Sequence, residues 1–235
     1  MDRTKDATLS DMVFERILTA IHECRLPPGS VINEASLAEE YAVSRGPVRE
    51  AVRRLQGVQL VTREPYFKAR VVNMTVESSI ELFQMRAALE GYACRLAAQK
   101  MTDAQISELS LDLEGARQAY LAGGGPGARG AAAGKAFDFH ERIVVASGNS
   151  RIIDALCGDL YHLLRVYRKR SGAVPERKEA AYAEHWQILR ALKTRDDDLA
   201  ESLMRSHIMR AADHLAGHLA SHLAETGARA ASPRG

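Results

Sequence analysis

The first part of the chain carries apolar residues at helical spacing, interrupted by short breaks. Apolar positions recur every three or four residues over 11–23, which predicts an amphipathic helix. Residues 26–30 contain two prolines and a glycine, and these residues end that helix. A short helix over 35–41, a tight turn and a third helix from 45 to about 56 follow. This succession is typical of a helix-turn-helix arrangement.

Two short runs of β-prone residues come directly after the third helix. They cover residues 60–63 and 69–72, and residues 64–68 between them have the length and turn chemistry of a hairpin. A small hairpin in this place predicts the wing of a winged helix-turn-helix.

After Asn73 the pattern changes to long amphipathic helices, and we predict no further strand. Thr75 is suited to cap the first of these helices. The apolar spacing predicts helices over about 75–99, 102–122, 132–147, 150–170, 176–194 and 196–225. We therefore predict a mostly α-helical protein, in which residues 1–73 form a winged helix-turn-helix domain with a small β wing, residues 74–226 form an antiparallel all-helical bundle, and residues 227–235 form a disordered tail.

Composition narrows the class of protein. Apolar residues make up 46% of the chain and charged residues 26%, as in soluble globular proteins. No apolar run reaches the roughly 18 residues of a membrane span, and the first ten residues do not resemble a signal peptide, so we expect a cytoplasmic protein. The three scattered cysteines, Cys24, Cys94 and Cys157, lie in apolar helical patterns, and we expect buried thiols.

Positive charge is concentrated around the third helix and the wing. The formal net charge of the chain is only +2, but residues 44–70 carry seven basic residues against two acidic ones, a local net of +5. Arg45, Arg49 and Arg53 repeat every four residues and therefore share one helix face. This pattern favours a nucleic-acid-binding surface, although an ordinary solvated face would show the same spacing.

The third helix has the features of a DNA-recognition helix. Arg45 and Arg49, near its start, can donate to guanine O6 and N7 in the major groove. Ser44 can cap the helix, and Pro47 suits its first turn, where the positive end of the helix dipole would face phosphate. The wing would add contacts to the backbone or minor groove. The predicted DNA-binding residues are Ser44, Arg45, Gly46, Pro47, Arg49, Arg53, Lys68 and Arg70.

These residues carry a family resemblance. Residues 37–39 (Leu-Ala-Glu) followed by residues 43–55 (Val-Ser-Arg-Gly-Pro-Val-Arg-Glu-Ala-Val-Arg-Arg-Leu) resemble the DNA-binding domain of the GntR family of transcription regulators. The connector at 26–32 (Leu-Pro-Pro-Gly-Ser-Val-Ile) is similar to the family's Pro-Gly connector, so the resemblance covers about residues 11–72. Three positions depart from the family pattern: Ala42 replaces the turn glycine, Ser36 a basic residue, and Lys68 the wing-tip glycine.

Three histidines, His140, His185 and His207, lie on three different predicted helices. A helical bundle could bring them to one interior site, and zinc or nickel accepts several neutral imidazoles. Histidines can also be buried because they satisfy hydrogen bonds without a metal. The spacing alone leaves both alternatives open.

A second resemblance bears on these histidines. Residues 81–90, 139–149, 184–185 and 204–207 look like the FCD effector domain of the FadR-type branch of GntR regulators. The resemblance implies a divalent metal, zinc or nickel, held by His140, His185 and His207 together with an aspartate one turn before the first histidine. Ala136 occupies that position here, and Asp138 would point to a different helix face. A three-histidine site completed by water or effector and a metal-free pocket both fit this pattern.

Arg86 matches a family position that commonly faces the effector. Its guanidinium suits a carboxylate, and the alternative is a salt bridge with Glu90 or another acid. The resemblance implies a homodimeric regulator, not an enzyme, whose affinity for double-stranded operator DNA responds to a small carboxylate effector. The alternative function is a metal-dependent hydrolase or lyase that uses the three histidines. Such an enzyme needs a positioned acid or base, and no motif of the HExxH kind lies near them.

Overall fold

The computed structural model describes residues 8–73, 75–123, 137–171 and 175–230. These residues divide into two compact units. The first unit contains the described residues before Thr75 together with Asp159–Val166, and the second contains Thr75–Gly158 and the residues from Tyr167 onward. Helices dominate both units, and the predicted mostly α-helical fold class is confirmed. No helix in these ranges is both long and apolar enough to cross a membrane.

Three helices and a hairpin form the N-terminal part of the first unit. They are α1 (Leu9–His22), α2 (Glu34–Glu40), α3 (Arg45–Gly57), β1 (Val61–Thr62) and β2 (Arg70–Val71). The two strands pair antiparallel with Val61 opposite Val71. Thr8 and Asp11 form a capping box that starts α1, and the Asn33 side chain caps α2. The predicted winged helix-turn-helix is therefore present in the structure.

A small apolar core holds α1 against α3. Its fully buried members include Val13 and Ile17 of α1 and Val48, Val52 and Leu55 of α3. These positions are spaced by three or four residues on each helix, so each helix presents one apolar stripe to the other. The opposite face of α3 stays available to solvent.

The second unit is built from long helices. They are α4 (Val76–Lys100), α5 (Asp103–Leu121), α6 (Phe139–Ala146), α7 (Ser150–Ile153), α9 (Pro175–Lys193) and α10 (Asp197–Ala230), and α8 (Tyr161–Ser171) has residues in both units. α4 packs along α10, and fully buried Ala93, Cys94 and Ala97 of α4 contribute to the core. At Gly91 an added Cβ would lie 2.6 Å from Arg205 Cγ on α10, so the two helices approach closely there.

Several predicted features differ in the structure. The helix predicted over 150–170 is interrupted by a π-helical segment at Asp154–Asp159, which contains Gly158, a poor helix former. The helix predicted from 132 begins among the described residues at Phe139. α10 continues to Ala230, so the start of the predicted disordered tail at 227–235 is helical up to that residue. Residues 124–136 and 231–235 lie outside the described ranges.

The expected burial of the cysteines is correct only in part. Cys94 is buried in the core of the second unit, and Cys157 is half-buried. Cys24 is exposed, because it lies just beyond the end of α1 with a positive φ of 60° rather than on the apolar face of the helix.

Candidate functional site

α3 presents a basic face to solvent. Arg45, Arg49 and Arg53 are exposed, as expected from their four-residue spacing. Arg53 makes two hydrogen bonds to the Glu50 carboxylate, at 3.0 and 2.7 Å, and Arg49 Nε lies 3.6 Å from a Glu34 oxygen. Exposed ion pairs of this kind contribute little stability and exchange readily for other anions.

The start of α3 differs in one detail from the sequence prediction. Ser44 occupies the N-cap position, but its side chain makes no capping hydrogen bond. Gly46 and Pro47 lie in the first turn, as predicted. The N–H groups of that turn, together with the helix dipole, favour an anion such as a phosphate.

The wing is tied to the rest of the first unit by two arginines. Arg70 Nη1 donates to the carbonyl oxygen of Gly29 at 3.0 Å, and Arg63 pairs with Glu34. Glu34 therefore contacts both Arg63, at the base of the wing, and Arg49, on α3. Lys68 is exposed on the same hairpin.

In the second unit, the three histidines predicted as metal ligands converge. His140 comes from α6, His185 from α9 and His207 from α10. The Nε2 atom of His207 lies 3.2 Å from Nε2 of His140 and 3.2 Å from Nε2 of His185, and one ring nitrogen of each residue lies within 4.8 Å of the others. The cluster is largely buried, with His140 and His207 at 8% and 4% exposure.

Two glutamates orient the imidazoles. Glu90 Oε2 lies 2.6 Å from His140 Nδ1, and Glu184 Oε2 lies 2.6 Å from His207 Nδ1. Because a carboxylate accepts hydrogen bonds, each Nδ1 donates and each Nε2 keeps its lone pair directed toward the cluster. This arrangement is the usual outer support of metal-binding histidines. The sequence analysis did not assign Glu90 or Glu184 this role, which depends on contacts between helices.

Burial sets the charges of the cluster. It lowers the pKa of His185 well below its usual range, and the positive charge of Arg177 lowers it further. Burial also lowers the pKa of His207 to about 4, in spite of the hydrogen bond to Glu184. For Glu184, burial raises the pKa, but hydrogen bonds from His207 and Arg210 outweigh it and hold the pKa at about 2. At neutral pH His185 and His207 are therefore neutral beside an ionised carboxylate.

These residues fit a divalent metal ion. Neutral imidazoles with converging ring nitrogens are the donor set that zinc and nickel prefer. Asp138 is not part of this histidine cluster; it precedes α6 as its N-cap, and its Oδ1 accepts from the backbone N–H groups of His140 and Glu141. Ala136, at the family's aspartate position, lies outside the described residues. The three histidines would leave further coordination positions for water or an effector.

A cavity of about 130 Å³ adjoins the three histidines. For scale, an apolar cavity of roughly 150 Å³ holds a benzene molecule, so the space suits a small organic ligand. Phe83 and Ile208 give the cavity apolar walls. Three basic side chains, Arg86, Arg177 and Lys178, also line it. The cavity therefore combines a candidate metal site with concentrated positive charge.

Arg86 is only 2% exposed and pairs with Glu90. Its Nε donates to Glu90 Oε1 at 2.7 Å, and its guanidinium lies over the Phe83 ring. The predicted alternative, a salt bridge with Glu90, is thus present, while Arg86 also lines the cavity. Its predicted contact with an effector stays a prediction.

Arg177 is a candidate that the sequence analysis missed. It is 3% exposed, its Nη2 lies 2.8 Å from Glu184 Oε2, and it donates to the His207 carbonyl oxygen at 3.2 Å. Its Nε and Nη1 are buried and have no hydrogen-bond partner in the described part of the chain. The signal was its seven-residue spacing from Glu184, which puts both residues on one face of α9.

Comparisons with known proteins find two family matches along the chain. The FCD domain family matches residues 81–210, and the family of bacterial regulatory proteins called gntR matches residues 9–66. The Nta operon transcriptional regulator of Aminobacter aminovorans is 30% identical over 192 residues, which are 80% of this chain and 85% of the relative. A probable D-xylose utilization operon transcriptional repressor of Paenarthrobacter nicotinovorans is 27% identical over 206 residues, 88% of each chain.

Solved structures show the same fold. The Escherichia coli protein McbR/YncC superposes with a TM-score of 0.68 at 21% identity and covers 90% of this chain and 98% of its own. A GntR regulator from Rhodococcus sp. RHA1 superposes with a TM-score of 0.69 at 21% identity, over 88% of this chain and 97% of its own.

Proposed function

Because the chain belongs to the GntR family of bacterial regulators and carries an FCD domain, we propose that a small organic acid, bound in the second unit, controls its affinity for operator DNA. The chain is a DNA-binding transcription regulator with a C-terminal effector-binding domain. The curated relatives named above are regulators as well, so the alternative of a metal-dependent hydrolase or lyase is not favoured.

For DNA, Arg45 and Arg49 of α3 read bases in the major groove. Their exposed guanidinium groups can each donate two hydrogen bonds to a guanine. Arg49 must exchange its contact with Glu34 for the base, which the exposure of the Arg49 side chain and the 3.6 Å length of the contact permit. The remaining predicted residues contact the backbone: Ser44, Gly46 and Pro47 at the start of α3, and Arg53, Lys68 and Arg70. Two copies of the chain would read a pseudo-palindromic operator as a homodimer.

The unpartnered N–H donors of Arg177 are the observation that best supports an anionic effector. Burying a guanidinium N–H group without an acceptor costs roughly 1–3 kcal/mol. An anion that accepts a hydrogen bond from such a group removes this cost, and its binding free energy is more favourable by a similar amount. These two N–H donors lie on different edges of the guanidinium, so a carboxylate oxygen would accept from one of them. Arg86 and Lys178 add positive charge to the same cavity.

His140, His185 and His207 would hold a divalent metal ion, which when bound supplies a second attachment point for a carboxylate oxygen. Glu90 and Glu184 keep two of the imidazoles in the required tautomer. A ligand with two carboxylates, or with a carboxylate and a hydroxyl group, could then bind the metal site and Arg177 together. We therefore infer that hydroxy acids and dicarboxylates bind more tightly than simple monocarboxylates.

The test is a fluorescence-anisotropy titration of the full chain against a duplex selected by the protein from a random pool. Arg49→Ala should weaken binding by about 1–3 kcal/mol and relax selectivity at one position. Arg25→Ala is the matched control, because Arg25 is an exposed arginine outside α3 and the wing that pairs with Glu23. Equal, weak binding of wild type and Arg49→Ala to every duplex would refute the DNA-binding assignment of α3.

The same titration tests the effector. Small carboxylates are added to the preformed complex at a fixed zinc concentration, and the anisotropy reports any change in DNA affinity. We expect at least one hydroxy acid or dicarboxylate to shift the affinity, and amines and neutral sugars to leave it unchanged. A response to neutral sugars alone would contradict the organic-acid assignment.

A further inference from the structure

The tip of the wing carries two aromatic side chains in full contact with solvent. Tyr66 is 107% exposed and Phe67 is 69% exposed, the highest values of any aromatic residue among those described. Single exposed apolar residues are common on proteins, but two adjacent aromatic rings at the tip of a hairpin form a projecting apolar feature. Neither ring contributes to the core of the first unit.

The backbone holds these rings in an unfavourable conformation. The Phe67 N–H donates to the Glu64 carbonyl oxygen at 3.1 Å, which closes a four-residue turn with Pro65 second and Tyr66 third. Tyr66 has a φ of 68°, and the third position of such a turn ordinarily favours glycine or asparagine. A bulky residue in the left-handed region is strained, and strain of this kind is frequent at functional positions.

The surroundings of the rings identify the partner. Arg63 and Lys68 lie in the loop before and after the tip and Arg70 lies on β2, and all three are exposed, against one exposed acid, Glu64, so positive charge prevails around the apolar tip. Glu34 contacts both Arg63 of the wing and Arg49 of α3, which makes the wing continuous with the basic face of the recognition helix. Positive charge around an apolar projection complements a DNA groove, whose phosphates surround the stacked bases.

We propose that Tyr66 and Phe67 form an aromatic wedge that enters the minor groove beside the site read by α3 and partly unstacks one base step. The proposal rests on the DNA-binding function above. Apolar side chains inserted between base pairs are a known device of minor-groove recognition. Arg63, Lys68 and Arg70 would neutralise the phosphates on either side.

The wedge would select sequence without hydrogen bonds to bases. Flexible pyrimidine–purine steps unstack more easily than others, so the protein should prefer such a step under the wing. Ring stacking involves no counterion release, and its contribution should therefore not depend on salt. The basic residues of the wing should show the opposite behaviour.

The experiment compares the full-length wild type with the variant Tyr66→Asn/Phe67→Ser on a duplex selected by the wild type. Asparagine suits the positive φ at position 66, so the variant should fold at least as well, which circular dichroism and thermal unfolding verify. 2-Aminopurine placed at successive adenines beside the α3 site reports unstacking by a rise in fluorescence. Lys68→Ala is the control for loss of wing charge.

We expect the wild type to raise the 2-aminopurine fluorescence at one base step. The variant Tyr66→Asn/Phe67→Ser should show no such rise and should bind the duplex about tenfold or more weakly. The slope of log affinity against log salt should stay unchanged in the aromatic variant and fall by about one in Lys68→Ala, which should keep the fluorescence rise. Wild-type affinity and fluorescence in a folded aromatic variant would overturn the wedge alone. Failure of the wild type to select any duplex would overturn the wedge and the proposed function together.

Discussion

His207 donates a hydrogen bond from Nδ1 to Glu184 across 2.6 Å, and this contact fixes which of its ring nitrogens faces the two other histidines. The contact joins α9 to α10 inside the second unit. It makes Glu184 a positioning residue for a candidate metal ligand, because the carboxylate contacts Nδ1 of His207 while Nε2 faces the other histidines.

We therefore predict that Glu184→Gln weakens zinc or nickel binding by about 10- to 100-fold, because a neutral amide supports the imidazole less well than a carboxylate. Isothermal titration calorimetry on chelator-treated protein measures the effect. Glu179→Gln, an exposed residue on the same helix, is the control and should bind metal as the wild type does. Equal affinities for Glu184→Gln and the control would show that the His207 contact has no part in metal binding.

Metal removal gives a second prediction. Because a ligand that binds only the folded state raises stability, zinc should raise the thermal unfolding temperature of chelator-treated protein, increasingly with concentration. His140→Ala/His207→Ala should abolish the rise. The exposed pair His214→Ala/His218→Ala on α10 is the matched control. A rise that survives in the first double variant would locate the metal elsewhere.

The two buried arginines of the cavity should behave differently. Arg86→Met removes the guanidinium that pairs with the 1% exposed Glu90, which keeps its contact with His140, and breaking a buried ion pair in this way costs about 3 kcal/mol or more. Arg177→Met should cost less, because Glu184 keeps a second guanidinium, that of Arg210, besides its contact with His207. Urea unfolding of both variants measures the difference, and a larger loss for Arg177→Met would contradict this reading of the pairs.

For effector binding we predict a large effect at Arg177. Loss of its unpartnered donors should weaken binding of the carboxylate effector by about tenfold or more. The reason is that hydrogen bonds to charged groups contribute roughly 1.5–3 kcal/mol. The anisotropy titration measures the effector concentration for half-maximal response in Arg177→Met. Arg205→Met, at an exposed arginine of α10, should respond as the wild type does. An unchanged half-maximal concentration in Arg177→Met would remove Arg177 from the effector site.

Elements with a repeating apolar pattern could be predicted from the sequence. The helices of the helix-turn-helix and the long helices of the second unit follow from spacing, because each buries one stripe of residues. The wing follows from its β-prone runs and the turn residues between them. Spacing could also place His140, His185 and His207 on three different helices, and the structure shows that their side chains meet.

Features that depend on contacts between distant residues could not be predicted in this way. Glu90 meets His140 across 50 positions, and Arg177 meets His207 across 30, so neither contact leaves a local pattern. Local backbone conformation was equally hidden. The π-helical segment at Asp154–Asp159 carries no signal other than Gly158, and exposure of Cys24 follows from where α1 ends.

One departure from the family pattern leads to a prediction about stability. Ala42, in the turn between α2 and α3, has a φ of 53°, a conformation that costs alanine about 1 kcal/mol and costs glycine almost nothing. Its side chain is exposed, so its loss removes no core contact. Part of the gain is offset because glycine is more flexible in the unfolded chain. Ala42→Gly should therefore stabilise the first unit by up to about 1 kcal/mol in urea unfolding while leaving DNA affinity unchanged.

Ala51→Gly is the contrasting variant, because Ala51 is fully buried inside α3, where glycine should destabilise by about that amount or more. A destabilised Ala42→Gly would mean that the turn does not hold the left-handed conformation in solution.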